Sequence, residues 1–208
     1  MGQITEIKIA KSKKARRHIY IDGVFVCTLD EFTVFKHKLS VGQEISLEKL
    51  EGISLESETD YAFEQAINLI SKTPKTISQV RENLRGKGYL DKIIDAVITK
   101  LVAYKYLDDA QYAQMFVRTY CSKYGKTKLK YLLSTKGINS QIIEAALVDL
   151  EPQDDTIAAL AHKYMQNKDF SAANFAKLYR FLSGKGFEWS EIDRVVGQMK
   201  KENYEDWD

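Results

Sequence analysis

Leu84-Arg85-Gly86-Lys87-Gly88, Leu133-Ser134-Thr135-Lys136-Gly137 and Leu182-Ser183-Gly184-Lys185-Gly186 share one pattern, Leu-x-x-Lys-Gly. The closing glycines stand at 88, 137 and 186, so both intervals are 49 residues. A short string returning at a constant period of this length marks a repeat architecture. The apolar positions keep the same period. Leu84, Leu133 and Leu182 precede the glycine by four, and Val80, Leu129 and Leu178 precede it by eight. After it come Val97, Ile98 and Leu101, then Ala146, Leu147 and Leu150, then Val195, Val196 and Met199. Spacings of three and four place these side chains along one helical stripe. Each unit therefore has a helix before the glycine and another after it. The glycine serves as a stop in positive φ, and the lysine before it sits in the last turn, where the helix dipole favours a cation.

A third helix lies upstream in every unit, along Tyr61, Ala62, Ala66, Ile67 and Ile70, along Tyr112, Ala113, Phe116, Val117 and Tyr120, and along Ile157, Leu160, Ala161, Tyr164 and Met165. Thr76 with Gln79 reads as a capping box, and Ser190 with Asp193 as a weaker relative of it. Asp91 and Ser140 are cap candidates for their helices. With Ser190 as the cap, the third unit needs one extra residue. The fold class expected is mainly α: three tandem three-helix repeats forming an elongated, curved body, a kind of body usually used as a binding surface.

The first 55 residues differ. Ile4, Glu6 and Lys8 alternate with Thr5, Ile7 and Ile9, and His18 to Leu29 is a β-branched and aromatic run broken at Asp22-Gly23. Asp-Gly supplies the two positive φ values of a type I′ hairpin turn. Phe35 to Leu39 reads as a strand or a short helix, and Val41-Gly42-Gln43-Glu44-Ile45 as a turn into a strand. The organisation expected is a small β-rich N-terminal module over 1–55, then repeats over 58–107, 108–151 and 152–203, with the module boundary between Gly52 and Asp60.

Composition is that of an ordinary foldable chain, 44% hydrophobic and 29% charged over 208 residues. No apolar run reaches membrane-spanning length, and Met1 to Ala10 lacks the apolar core of a signal peptide. Cys27 and Cys121 lie far apart outside any CxxC, which reads as two free thiols in a reducing cytoplasm. The chain is expected to be cytoplasmic and monomeric, with no membrane contact. His18, His37 and His162 are scattered, so no metal site is expected. No dinucleotide glycine motif, Walker loop or nucleophile elbow occurs, so neither cofactor nor catalytic residue is expected. Asp108-Asp109, the adjacent carboxylate pair ahead of the Ala110 helix, reads as capping and dipole compensation.

The net charge of +2 conceals an uneven distribution. Residues 109–150 carry six basic and three acidic side chains, whereas 151–208 carry eight basic and eleven acidic. Within the middle unit, Arg118 to Tyr131 holds five basic residues, three tyrosines and no acid. Arg118, Lys123, Lys126, Lys128 and Lys130 run from one helix end through Gly125 into the next helix start. Cations there oppose the helix dipole, so a stability-only sequence would place acids instead; backbone N–H groups at a helix start favour an anion. Tyr124 either stacks on a base or packs on its own unit. Lys136 and, in the first repeat, Arg81, Arg85 and Lys87 join these as candidate contacts with a partner or DNA. So does the run Lys13, Lys14, Arg16 and Arg17 at the first hairpin tip, which reads either as a solvated loop or as a phosphate contact.

Tyr106-Leu107-Asp108-Asp109-Ala110-Gln111-Tyr112-Ala113, Val117-Arg118, Gly125-Lys126 and Leu132-Leu133-Ser134-Thr135-Lys136-Gly137-Ile138 together resemble the central motif of the RecX family, bacterial regulators of the RecA recombinase. The resemblance runs from about residue 60 to 200, and the β-rich start is similar to that of longer members. Ser71-Lys72-Thr73-Pro74-Lys75-Thr76 departs from the arginine-containing link usual in the family. The resemblance implies a regulatory protein that binds RecA and its filament on single-stranded DNA, lies in the filament groove, and inhibits recombinase and co-protease activity in DNA repair and the SOS response, with possible direct DNA contact. The alternative is a DNA-binding protein acting without a recombinase.

Overall fold

The computed structural model describes residues 1–10 and 15–205, with side chains as far as Lys201. In chain order the elements are β1 (Gly2–Ile9), β2 (Arg16–Ile21), β3 (Val24–Asp30), α1 (Glu31–Lys36), β4 (Glu44–Ile45), α2 (Leu47–Ile70), α3 (Ile77–Gly86), α4 (Asp91–Ala103), α5 (Asp109–Tyr120), α6 (Lys126–Ser134), α7 (Ser140–Leu147), α8 (Asp154–Met165), α9 (Ala172–Gly184) and α10 (Trp189–Glu205). The fold is mainly α behind an N-terminal β-rich module. Two compact units divide the chain: Met1–Lys75 with Val80–Leu107, and Thr76–Gln79 with Asp108–Asp208.

The first unit begins with an antiparallel sheet in the order β3-β2-β1-β4. Asp22 and Gly23 both take positive φ, 49° and 82°, as the hairpin reading requires. A bulge in β1 between Ile4 and Glu6 lets Ile4 face Ile21 while Ile7 faces Ile19. Ile4, Ile19, Ile21, Leu29, Leu39 and Ile45 form the core with Leu50 and Ile53 of α2. A short helix does form, but earlier than Phe35 to Leu39: α1 starts at the Asp30 cap, which accepts from Thr33 N at 2.8 Å, and ends at Lys36, ahead of Lys38 at φ 52°. Residues 52–60, where the sequence places the module boundary, are uninterrupted helix. α2 starts at the Ser46 cap and spends Leu50 and Ile53 on the sheet, then buries Ala62 and Ala66 beside α4.

In the repeats the first and third helices pack along each other, α2 with α4, α5 with α7 and α8 with α10. Leu84, Leu133 and Leu182 are fully buried, as are Val80, Leu129 and Leu178. Gly88, Gly137 and Gly186 stop their helices at φ 87°, 76° and 87°. Helix starts keep the period more strictly than the cap candidates implied: α4, α7 and α10 begin at 91, 140 and 189. The third repeat therefore needs no extra residue. Ser190 lies inside α10, and the reciprocal bond there runs from Glu188 N to Glu191 Oε2 at 2.9 Å. Asp91 and Ser140 are likewise first helical residues; the caps are Leu90, which makes no side-chain bond, and Asn139, which accepts from Gln141 N. The Thr76–Gln79 box forms in both directions, at 3.1 and 3.2 Å.

Candidate nucleic-acid interface

The basic segment lies in the second unit, on the end of α5, the following turn and α6. Arg118, Lys123 and Lys126 are exposed and in no ion pair among the described residues, although the Lys126 charge helps to lower the Glu144 carboxyl. Lys130 is paired with Glu144, and this pairing holds the Glu144 carboxyl below its usual range. Lys128 is half-buried, with Nζ 5.0 Å from the centre of the Tyr131 ring. Lys136 Nζ stands 5.5 Å from the Phe116 ring, and Tyr124 is half-buried against Tyr120 at 6.3 Å. The candidates of this unit thus separate into three exposed cations outside any ion pair and a second group held by protein.

The start of α6 is not an open anion site. Gly125 N donates to Lys185 O at 3.0 Å and Thr127 N to Gly186 O at 3.2 Å, so two helix-start donors are already satisfied. The approach is close enough to require glycine twice. A Cβ on Gly125 would fall 2.3 Å from Gly186 O, and one on Gly186 would fall 2.3 Å from Lys128 N. The carbonyl end of α9 therefore faces the start of α6, which offsets part of the dipole cost of lysines there. The turn at Gly137 has the same arrangement with different atoms. Thr76 Oγ1 donates to Lys136 O at 2.7 Å, and a Cβ on Gly137 would meet Ser78 at 2.3 Å. Asp108 caps α5 by accepting from Gln111 N, and Asp109 accepts from Ile77 N at 2.9 Å.

The local pattern gave no sign of the cation–ring pairings. Tyr112, Phe116, Tyr120 and Tyr124 recur every four residues and form a column with ring centres 6.3, 4.5 and 6.3 Å apart. Lys185, read from sequence as a helix-end cation, has Nζ 5.0 Å from Phe181 and 5.5 Å from Tyr124. Such contacts stabilise by about 0.5–1 kcal/mol at exposed sites and hold the lysines in place.

The remaining candidates belong to the first unit. Arg81 pairs with Asp95 at 2.6 Å and Arg85 with Asp91 at 2.8 Å, while Lys87 donates to Gln65 at 2.9 Å. Arg16 donates to Thr28 O and lies 5.0 Å from the Tyr61 ring; Arg17 pairs with Glu31. Lys13 and Lys14 lie outside the described residues. Burial pushes the Cys27 thiol up to about 11, which keeps it protonated, and Cys27 and Cys121 are both free. No group of metal-ligating side chains occurs among the described residues, and no helix among them is long and apolar enough to cross a membrane.

Three family profiles match the chain: "Regulatory protein RecX N-terminal domain" over residues 2–46, "RecX, first three-helix domain" over 62–101 and "RecX, second three-helix domain" over 108–147. The regulatory protein RecX of Clostridium acetobutylicum is 34% identical over 208 residues, covering 96% of this chain and 97% of that one. That of Clostridium tetani is 31% identical over 205 residues, covering 96% and 95%. A crystal structure of a regulatory protein RecX superposes with a TM-score of 0.71 at 24% identity over 95% of this chain and 100% of the other, a likeness of fold. The crystal structure of RecX from Lactobacillus salivarius gives 0.64 at 27% identity over 68% of this chain and 96% of the other. Repeat, hairpin module and full-length relatives agree, and the chain belongs to the RecX family of regulatory proteins.

Proposed function

We propose that this protein binds the RecA recombinase filament on single-stranded DNA and inhibits it, acting by contact rather than catalysis. The observation that carries the DNA side of this reading is the set Arg118, Lys123 and Lys126: three exposed cations within nine residues, none in an ion pair among the described residues. Other candidate cations are already paired, Arg81 with Asp95, Arg85 with Asp91 and Lys130 with Glu144. Solvent-facing cations outside ion pairs are what a phosphate backbone recognises, with affinity that falls steeply with salt. The half-buried aromatic column and the lysines seated on it form the support of this surface.

The test is inhibition of recombinase filament activity by the Lys123→Glu plus Lys126→Glu variant. Helical content should be unchanged and inhibition weakened at least tenfold; full inhibition by a folded variant would sink the contact. Titration on bare single-stranded DNA, with and without the recombinase, separates the alternative. Tight and strongly salt-dependent binding without the recombinase favours a DNA-binding protein acting alone. For single strands each lost phosphate contact should lower the salt slope by about 0.7.

A further inference from the structure

Two of the three Leu-x-x-Lys-Gly turns are covered, each by a helix start from the repeat before it. At Gly137 the cover is the start of α3. Thr76 Oγ1 donates to Lys136 O at 2.7 Å, and Ser78 stands where a Cβ on the glycine would go. At Gly186 the cover is the start of α6. Gly125 N donates to Lys185 O at 3.0 Å and Thr127 N to Gly186 O at 3.2 Å. In both seats the spare carbonyls of a helix end meet spare donors of a helix start, and the opposed dipole ends attract. A small residue, Ser78 or Gly125, permits the approach.

No repeat precedes the turn at Gly88, and it is open. Lys87 O and Gly88 O accept no hydrogen bond among the described residues, and a Cβ on Gly88 would meet nothing within 4 Å. Lys87 is exposed, whereas Lys136 and Lys185 are half-buried. A cavity of about 380 Å³ lies between this turn and Glu58 and Tyr61 of α2. Its charges, Arg16 and Lys87 against Glu58, are mixed and select no partner.

The residue that follows the turn sets the first repeat apart. Leu90 stands in register with Asn139 and Glu188. Asn139 caps α7 with its side chain, and Glu188 N donates to Glu191. Leu90 makes no side-chain capping bond to α4 and is 59% exposed at the lip of the cavity. A turn left to water would be better served by a polar cap. The first repeat forgoes that cap and sets an apolar side chain beside two free carbonyls.

The covers of the other two turns identify what fits this one. We infer that the open turn at Gly88 seats a helix start of a partner protein. A small residue of that helix lies against Gly88, its donors reach Lys87 O and Gly88 O, and Leu90 packs on its flank. A second copy of this chain does not supply such a start. α3 and α6 begin at 77 and 126, which by the 49-residue period calls for 175, but α9 begins at 172. Asn174, in register with Gly125, therefore lies inside α9 with its N–H already given to Ser171 O.

The experiment is an NMR titration of the isotope-labelled full chain with a peptide of residues 73–86, held helical by a hydrocarbon staple between Glu82 and Gly86. This segment is the natural cover of the Gly137 turn. Amide shifts are expected at Gly88, Tyr89 and Leu90 and not at Gly137 or Gly186, whose seats are filled. The same peptide with Ser78→Arg should bind about tenfold more weakly, because the seat admits only a small residue. The chain variant Leu90→Asn should melt higher, by regaining the cap, and bind the peptide about threefold more weakly. The Lys123→Glu plus Lys126→Glu variant should bind it normally, so this result is independent of the proposed DNA contact. No shift at Gly88 with the peptide at about 1 mM, the weak end of specific binding, overturns the inference. Equal binding of the Ser78→Arg peptide, or unchanged binding to Leu90→Asn, does so too. A dimer in sedimentation that Leu90→Asn abolishes would make a second copy the occupant and overturn it. Shifts that appear only after residues 11–14 are replaced by glycine would make the chain's own segment the occupant, with the same consequence.

Discussion

The turns at Gly88 and Gly186 share a sequence pattern and a backbone conformation, yet differ in what lies against them. Both glycines sit at φ 87°. A Cβ on Gly88 would meet nothing within 4 Å, whereas one on Gly186 would strike the backbone of Lys128. The same five-residue string is thus a plain helix stop in one place and a seat for a neighbouring helix start in the other. A repeat preserves the core and the stop; what the stop is used for depends on whether a preceding repeat reaches it.

Truncating the shared core should erase the distinction. Leu84→Ala, Leu133→Ala and Leu182→Ala each remove a fully buried side chain and should each cost about 2–5 kcal/mol by denaturant melting. A negligible loss at one of them would remove that copy from the alignment. The glycines should then part company. Gly186→Ala combines left-handed strain, about 1–2 kcal/mol, with overpacking of at least about 1 kcal/mol, and should lower stability by about 3 kcal/mol. Gly88→Ala carries only the strain, about 1–2 kcal/mol. Equal losses at the two glycines would mean that the contact with α6 contributes nothing to stability.

The same contrast marks what could be read in the sequence. The period, the hairpin at Asp22-Gly23, the Thr76–Gln79 box and the three stops are local patterns, and each is present in the structure. Interactions across repeats left no local trace. Gly125 looked like a turn residue beside an anion-ready helix start, but its N–H is taken by Lys185 O, 60 residues away. Lys136 and Lys185 looked like helix-end charges, and they lie over aromatic rings. Gly52 to Asp60 looked like a module boundary, but α2 runs through it because residues on either side are buried against different partners, the sheet and α4. Of the candidate cations, composition singled out a segment; only geometry separates Arg118, Lys123 and Lys126 from those in ion pairs or over rings.

The smallest effect comes from the remaining difference between the two seated turns. At Gly186 the bonds are backbone to backbone. The first turn of α3, seated at Gly137, uses side chains, including Asp109, which accepts from Ile77 N. Burial holds the Asp109 carboxyl above the ordinary aspartate value of 3.8; the Ile77 N–H opposes the rise and the neighbouring Asp108 adds to it. A raised folded value means that the native state keeps this proton to a higher pH than the unfolded chain does. Asp109 therefore contributes a loss of stability as pH climbs from about 3.8 through the raised folded value, and no further change above it. Asp109→Asn keeps an acceptor for Ile77 and removes the step. Melting temperatures of the two proteins should differ in one sense at pH 7 and shift in the parent's favour as pH falls below the window. Because Asp109 is only partly buried, solvent screening keeps the shift small. A gap that does not change with pH would mean that the Asp109 charge has no part in seating α3, and that this contact is as indifferent to pH as the one at Gly186.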